Sequence, residues 1–208
     1  MKDEYYETNE EKAPLVIDLG LPSGTKWASC NVGASQSWEC GDYYAWGETE
    51  EKEVYNDMTY LYFEGEDTDG DGFYDKDEQC IDIGEDICGT EYDVAHIKLG
   101  DGWQMPTREH FKELVVNCKR EWTEFHGVKG LKFIGSNGNS IFLPAGGYCE
   151  SSVIEDLGLS GCYWSSTLST SACFNAHILL FTSNYAVWCC YCSRRIGYSV
   201  RPVKVTCN

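Results

Sequence analysis

The chain has 208 residues, 42% of them hydrophobic, with 7 Trp, 14 Tyr and 8 Phe, enough for one domain with a real core. Its net charge of −18 is lopsided: residues 1–101 carry −21 and residues 102–208 carry +3, so no basic stripe exists for nucleic acid. No apolar run approaches a membrane span, which excludes direct membrane insertion by a helix, and MKDEYYETNEEK is acidic where a signal peptide would be basic and then apolar.

Residues 1–13 read as an acidic tail and 14–208 as a single domain. LVIDLGLPSGTKWASCNVGA places turn residues (Gly20, Pro22, Ser23, Gly24) between apolar alternations, which predicts strand, tight turn, strand. GDYYAWGET, residues 41–49, is aromatic and bounded by glycine, so it reads as irregular core. Residues 50–93 are acidic, loop-like and have the character of an insertion. A short helix is expected over YDVAHIK, residues 92–98. A clearer one spans PTREHFKELVVNCKR, where Thr107 caps the first turn, Glu109 lies near the positive end of the dipole, and Phe111, Leu114, Val115 and Cys118 form one buried stripe. GVKGLKFIGSNGNSIFLPA predicts a hairpin about Asn137 and Gly138. The last third reads as strand and loop, with Leu179 and Phe181 on one face. Two helices among many short strands make an α+β domain.

The acidic segment holds a motif. DTDGDGFYDKDE, residues 67–78, satisfies D-x-[DN]-x-[DN]-G-x5-E throughout, a spacing that curls oxygen donors around a hard cation. Asp67, Asp69 and Asp71 supply carboxylates, Gly72 the sharp turn, Phe73 a backbone carbonyl, Asp75 a direct or water-mediated contact, and Glu78 both oxygens. Calcium is the cofactor expected, with a solvated acidic loop as the alternative. Tyr74 replaces the usual aliphatic residue and YLYFEGE carries no amphipathic helix, so the cation would order an insertion and not switch a helix pair.

Residues 157–193 contain no Asp, Glu, Lys or Arg. With charge scattered at the ~25% typical of globular chains, a gap of this length has odds on the order of one in ten thousand or less. Core burial is a poor account of so many Ser, Thr and Asn. The segment reads as a surface of neutral hydrogen-bonders and aromatics, the chemistry of adaptable binding loops. Within it, Cys189, Cys190 and Cys192 invite a zinc reading, but neighbours on a strand point to opposite faces and cannot converge on one ion. Of twelve cysteines, Cys80 and Cys88 are the most plausible local disulfide. His96, His110, His126 and His177 fall in no hydrolytic or nucleophile-activating motif, so no catalytic residue is expected.

IDLGLPSGTKWASCNVGA, GDYYAWGET, DGWQMPTREHFKELVVNC, GVKGLKFIGSNGNSIFLPAGGY, YWSSTL and GYSVRPV occur in order. Together they resemble the Fibrobacter succinogenes major paralogous domain, common in gut Bacteroidetes. The resemblance runs from about Val16 to Val203 and implies a C-type lectin-like fold of the formylglycine-generating enzyme branch. Some members of that family are similar to the variable proteins of diversity-generating retroelements, in which adenine-directed mutagenesis rewrites codons before an SVRPV-like strand. Template Asn codons ending in a pyrimidine cannot become Lys, Glu, Gln, Met or Trp, and residues 165–200 contain none of these except Trp188.

By that resemblance Trp164, Leu179, Phe181, Trp188, Gly197 and residues 199–203 are scaffold, and the variable region spans about 162–197. The diversified, ligand-binding positions would be Ile178, Leu180, Thr182, Asn184, Tyr185, Val187, Cys189, Cys190, Tyr191, Cys192, Ser193, Arg195 and Ile196, with Cys173, Asn175 and His177 added. The function implied is non-catalytic recognition of a protein or glycan ligand on another cell or phage host, from a cell surface or a phage particle. A family member with a fixed partner is the alternative, and an oxidase of the formylglycine-generating type a more distant one.

Overall fold

The computed structural model describes residues 14–100 and 102–204, apart from the side chains of Trp188 and Cys189. The expected tail lies outside the described residues. In chain order the elements are β1 (Val16–Asp18), β2 (Lys26–Ala28), a single 3-10 turn (Asp57–Thr59), β3 (Phe63–Glu66), β4 (Lys76–Cys80), α1 (Val94–Leu99), β5 (Trp103–Gln104) and α2 (Arg108–Asn117). Then follow β6 (Lys119–Phe125), β7 (Val128–Ile134), β8 (Ser140–Pro144), β9 (Tyr148–Glu150), β10 (Val153–Glu155), β11 (Ser160–Leu168), β12 (Asn175–Thr182), β13 (Ala186–Ser193) and β14 (Val203–Lys204). The class is α+β, as expected.

β14 inserts between β2 and β5, giving the order β1-β2-β14-β5, so the two ends of the domain close on each other. Two antiparallel meanders, β6-β7-β8 and β11-β12-β13, supply most of the remaining framework. The first turn forms as read: the Asp18 carboxylate accepts from Gly20 N–H at 2.8 Å, and Gly20 takes a φ of 67° that suits glycine. α2 is capped by Thr107, whose hydroxyl accepts from His110 N–H while the His110 Nδ1 accepts from Thr107 N–H. Phe111, Leu114, Val115 and Cys118 are all buried. Lys119 and Arg120, expected to extend this helix, instead begin β6, because Cys118 is already extended.

Three clusters make the core. One joins α2 to Trp27, β7, β8, Leu179, Phe181 and Val203. A second gathers Trp46, Trp164, Ile178, Ile196, Tyr198 and Val200. The third, built from Ala45, Tyr55, Tyr60, Phe63 and Cys149, corrects the loop-like reading of residues 50–93. That segment contributes a β3-β4 hairpin and three buried aromatics, so it is packed structure.

The disulfide expectation is also corrected. Cys80 bonds Cys173, 93 residues away and 6.1 Å between Cα atoms. Cys88 instead lies beside the Met105 carbonyl, and burial pushes its thiol up to about 12. The bridge staples the end of β4 to the segment entering β12.

Candidate functional site

The acidic motif occupies the turn of the β3-β4 hairpin. Asp67 caps it twice, accepting from Gly70 N–H at 2.7 Å and Gly72 N–H at 2.9 Å. Asp71 accepts from Phe73 N–H at 2.9 Å. Gly72 has a φ of 94°, and a Cβ there would strike the Asn56 amide, so the turn needs glycine for both reasons. These constraints bring carboxylate oxygens of Asp67, Asp69 and Asp71 within 4.8 Å of one another, a set that could hold a metal ion. The side chains of Asp75 and Glu78 do not join this triad. Asp75 accepts from Thr68 N–H and Oγ1, bonds that hold its carboxyl below the ordinary range. Glu78 lies on β4, where burial and the neighbouring Asp57 push its carboxyl up against the opposing pull of Arg195. The Phe73 ring lies beneath the Arg195 guanidinium, 4.6 Å from its centroid.

The turn is fixed to its surroundings. Gly72 carbonyl accepts from Asp57 and Met58 N–H, and the Asp57 carboxylate accepts from Tyr74 N–H while pairing with Arg195 Nε at 2.8 Å. Neither Asn56 nor Asp57 was singled out from the sequence. The signal was present, since Asn56 and Thr59 form a reciprocal capping box around the 3-10 turn.

The charge-free segment forms the β11-β12-β13 meander. β12 is central and has core on both sides: Leu179 and Phe181 enter the first cluster, Ala176 and Ile178 the second. On β13, Cys190 and Cys192 turn toward the second cluster and Tyr191 turns away, so adjacent residues alternate as expected. Cys189 belongs to β13, but its side chain lies outside the described residues. Among the described residues, no three cysteine or histidine side chains converge as the aspartates do.

The expected binding positions therefore divide. Asn184, Tyr185 and Tyr191 are exposed, and Asn175, His177, Leu180, Thr182, Val187, Cys190, Cys192 and Ser193 are half-buried. His177 faces Tyr191 across the strands, their rings edge to face at 6.2 Å, and burial together with Arg108 lowers its imidazole from the ordinary value. Ile178 and Ile196 are 4% exposed, which corrects their expected place on a ligand-facing surface: both are core. Arg195 is held by Asp57 and Glu150, each at 2.8 Å, and Cys173 is consumed by its disulfide. At the β12-β13 turn, Ser183, Asn184 and Tyr185 border a hollow of about 240 Å³ whose opposite wall is Arg120 and Trp122.

Comparisons with protein-family models, with curated proteins and with solved structures found no match.

Proposed function

We propose that this chain is a non-catalytic binding protein: a C-type lectin-like scaffold presenting a diversified β12-β13 surface to a protein or glycan ligand on another cell or phage host. The observation that carries the reading is the division of one charge-free segment into buried scaffold and open neutral positions. Trp164, Leu179 and Phe181 are fully buried, while Tyr185 and Tyr191 are about half exposed and Asn184 and Ser183 are exposed beside them. Aromatic and small polar groups on a rigid support give contact area at low entropic cost. Calcium is the cation this reading assigns to Asp67, Asp69 and Asp71, as an organiser of the β3-β4 turn. The Cys80–Cys173 bridge suits display at a cell surface or on a phage particle, where thiols are oxidised.

A fixed partner has support of its own. Cys173, Ile178, Arg195 and Ile196, all expected to vary, carry a disulfide, core packing or ion pairs. The two readings part at the DNA. A near-copy of the gene's 3′ end that differs only at adenines, beside a reverse transcriptase, is the result diversification requires. Finding the flanking DNA without such a copy leaves the fixed partner.

A further inference from the structure

The β6-β7-β8 meander has a second face, opposite the one that meets the core. Leu131, Phe133, Ile141 and Leu143 enter the first core cluster. The two-residue period then turns Glu121, Thr123, Phe125, Lys132, Ser140 and Phe142 the other way, where they line a cavity of about 370 Å³. That volume falls in the range of small-molecule sites.

One wall is aromatic and already braced. Phe125, 42% exposed, meets Phe142 edge-on at 5.9 Å and Trp38 at 5.4 Å, and Trp38 stacks on His126 at 3.9 Å. Gly130 permits this floor, because a Cβ there would lie 2.6 Å from the Phe142 ring. A ring held from two sides loses little freedom when a third surface covers it.

The charges are unspent. Glu121, Lys132 and Phe142 are register partners across the three strands, so carboxylate, ammonium and ring stand in one row. Opposite charges facing each other on a sheet are ordinarily within reach of an ion pair. Yet Glu121 and Lys132 make no ion pair or side-chain hydrogen bond among the described residues. We propose that this cavity binds a small zwitterion with an apolar side chain, a free amino acid. Its ammonium lies on Glu121, its carboxylate on Lys132, and its side chain against Phe125 and Phe142. A simple cation or anion leaves one protein charge unanswered, and a neutral ligand uses neither.

Isothermal titration of the whole chain with L-phenylalanine and L-leucine tests this, beside N-acetyl-L-phenylalanine, L-phenylalanine methyl ester and methyl glucoside. Free amino acids are expected to bind, and blocking either end to weaken binding by about tenfold or more, the effect of one lost charge-assisted hydrogen bond. Glu121→Gln should weaken L-phenylalanine but leave the N-acetyl form unchanged, and Lys132→Met should do the converse with the ester. Phe125→Ala, at an exposed strand end, should weaken all three aromatic ligands, with melting temperatures of the variants reporting that each is folded. Absence of binding by free amino acids at millimolar concentration, equal binding of the blocked forms, or preference for methyl glucoside overturns the proposal. None of these results touches the display reading, which rests on the exposed positions of β12, β13 and their turn.

Discussion

Changing Cys80 and Cys173 to serine opens a covalent loop whose ends are 93 residues apart. On the chain-entropy account, closing a loop of about a hundred residues stabilises a fold by about 4.7 kcal/mol at 25 °C. That value is a ceiling here, because the same junction is held without the bridge. Tyr55, Tyr60 and Phe63 pack in the third cluster, and Arg194 donates to the carbonyls of Ile81 and Cys173, the residue after one cysteine and the other cysteine itself. Each kcal/mol shifts the midpoint of a domain this size by roughly 2–4 °C, so the expected fall is about 5–15 °C. Calorimetric melts of the oxidised parent, the parent in reductant, the double serine variant and Cys88→Ser form the assay. The reduced parent and the double variant should melt together below the oxidised parent, and Cys88→Ser should melt with the oxidised parent. If the double variant is as stable as the oxidised parent, the reasoning is refuted; if Cys88→Ser loses as much as the double variant, it is refuted in favour of the local Cys80–Cys88 pairing.

Calcium at about one hundred times its dissociation constant should add about 2.7 kcal/mol, or roughly 5–11 °C of melting temperature. Asp67→Ala with Asp71→Ala should abolish the rise, and a parent indifferent to excess calcium would sink the assignment. At the exposed β12-β13 turn, Asn184→Lys and Tyr185→Ala should change stability by no more than about 0.5 kcal/mol, whereas Phe181→Ala, in the first core cluster, should cost about 3–5 kcal/mol. Urea unfolding measures both, and comparable losses would erase the division between display and scaffold. Burial lowers the His110 imidazole from 6.5, and its Nδ1 accepts from Thr107 N–H, which requires the neutral ring. The unfolded chain therefore takes up the proton first as pH falls. This contribution is complete above about pH 6.5 and is lost as pH drops through the folded-state value. Midpoints measured between pH 7.5 and 5.5 should fall less steeply in His110→Asn, and an equal slope counts against this role.

Periodic elements were legible because one face of each meets a core. The stripe on α2 and the apolar runs flanking Asn137-Gly138 announce themselves in sequence. β6 did not, since KREWTEF is mostly charged and only Trp122 leans on the core, so the helix reading ran on into it. The motif at residues 67–78 specified the aspartate triad but not the separate positions of Asp75 and Glu78, which depend on Thr68, Asp57 and Arg195. The alternation of β12 was read as one buried and one open face. A central strand between two clusters buries Ile178 as well as Leu179, and only the tertiary arrangement shows that. Cys173 was illegible for a related reason: nothing local connects residues 93 apart.

Cys173, Arg195 and Ile196 lie near one place, the end of β13. Arg194 is 1% exposed and has no carboxylate partner among the described residues. Its guanidinium lies over Trp46 at 4.8 Å and near Tyr60 and Phe63, while donating to the Tyr60 hydroxyl and to backbone carbonyls. A buried charge is tolerated only when such a shell is complete, so removing one wall exposes a desolvation penalty of several kcal/mol. Arg195 next to it bridges Asp57 and Glu150 and covers Phe73. The segment 50–93 supplies Asp57, Tyr60, Phe63, Phe73 and the Ile81 carbonyl to these two shells, and β9 supplies Glu150. Substitution at this end therefore disturbs three elements together, whereas substitution at the opposite, exposed turn of the same hairpin disturbs none of them. On β12 and β13 the freedom to vary lies at the turn and along the outward side of Tyr191, and residues 50–93 hold the other end in place.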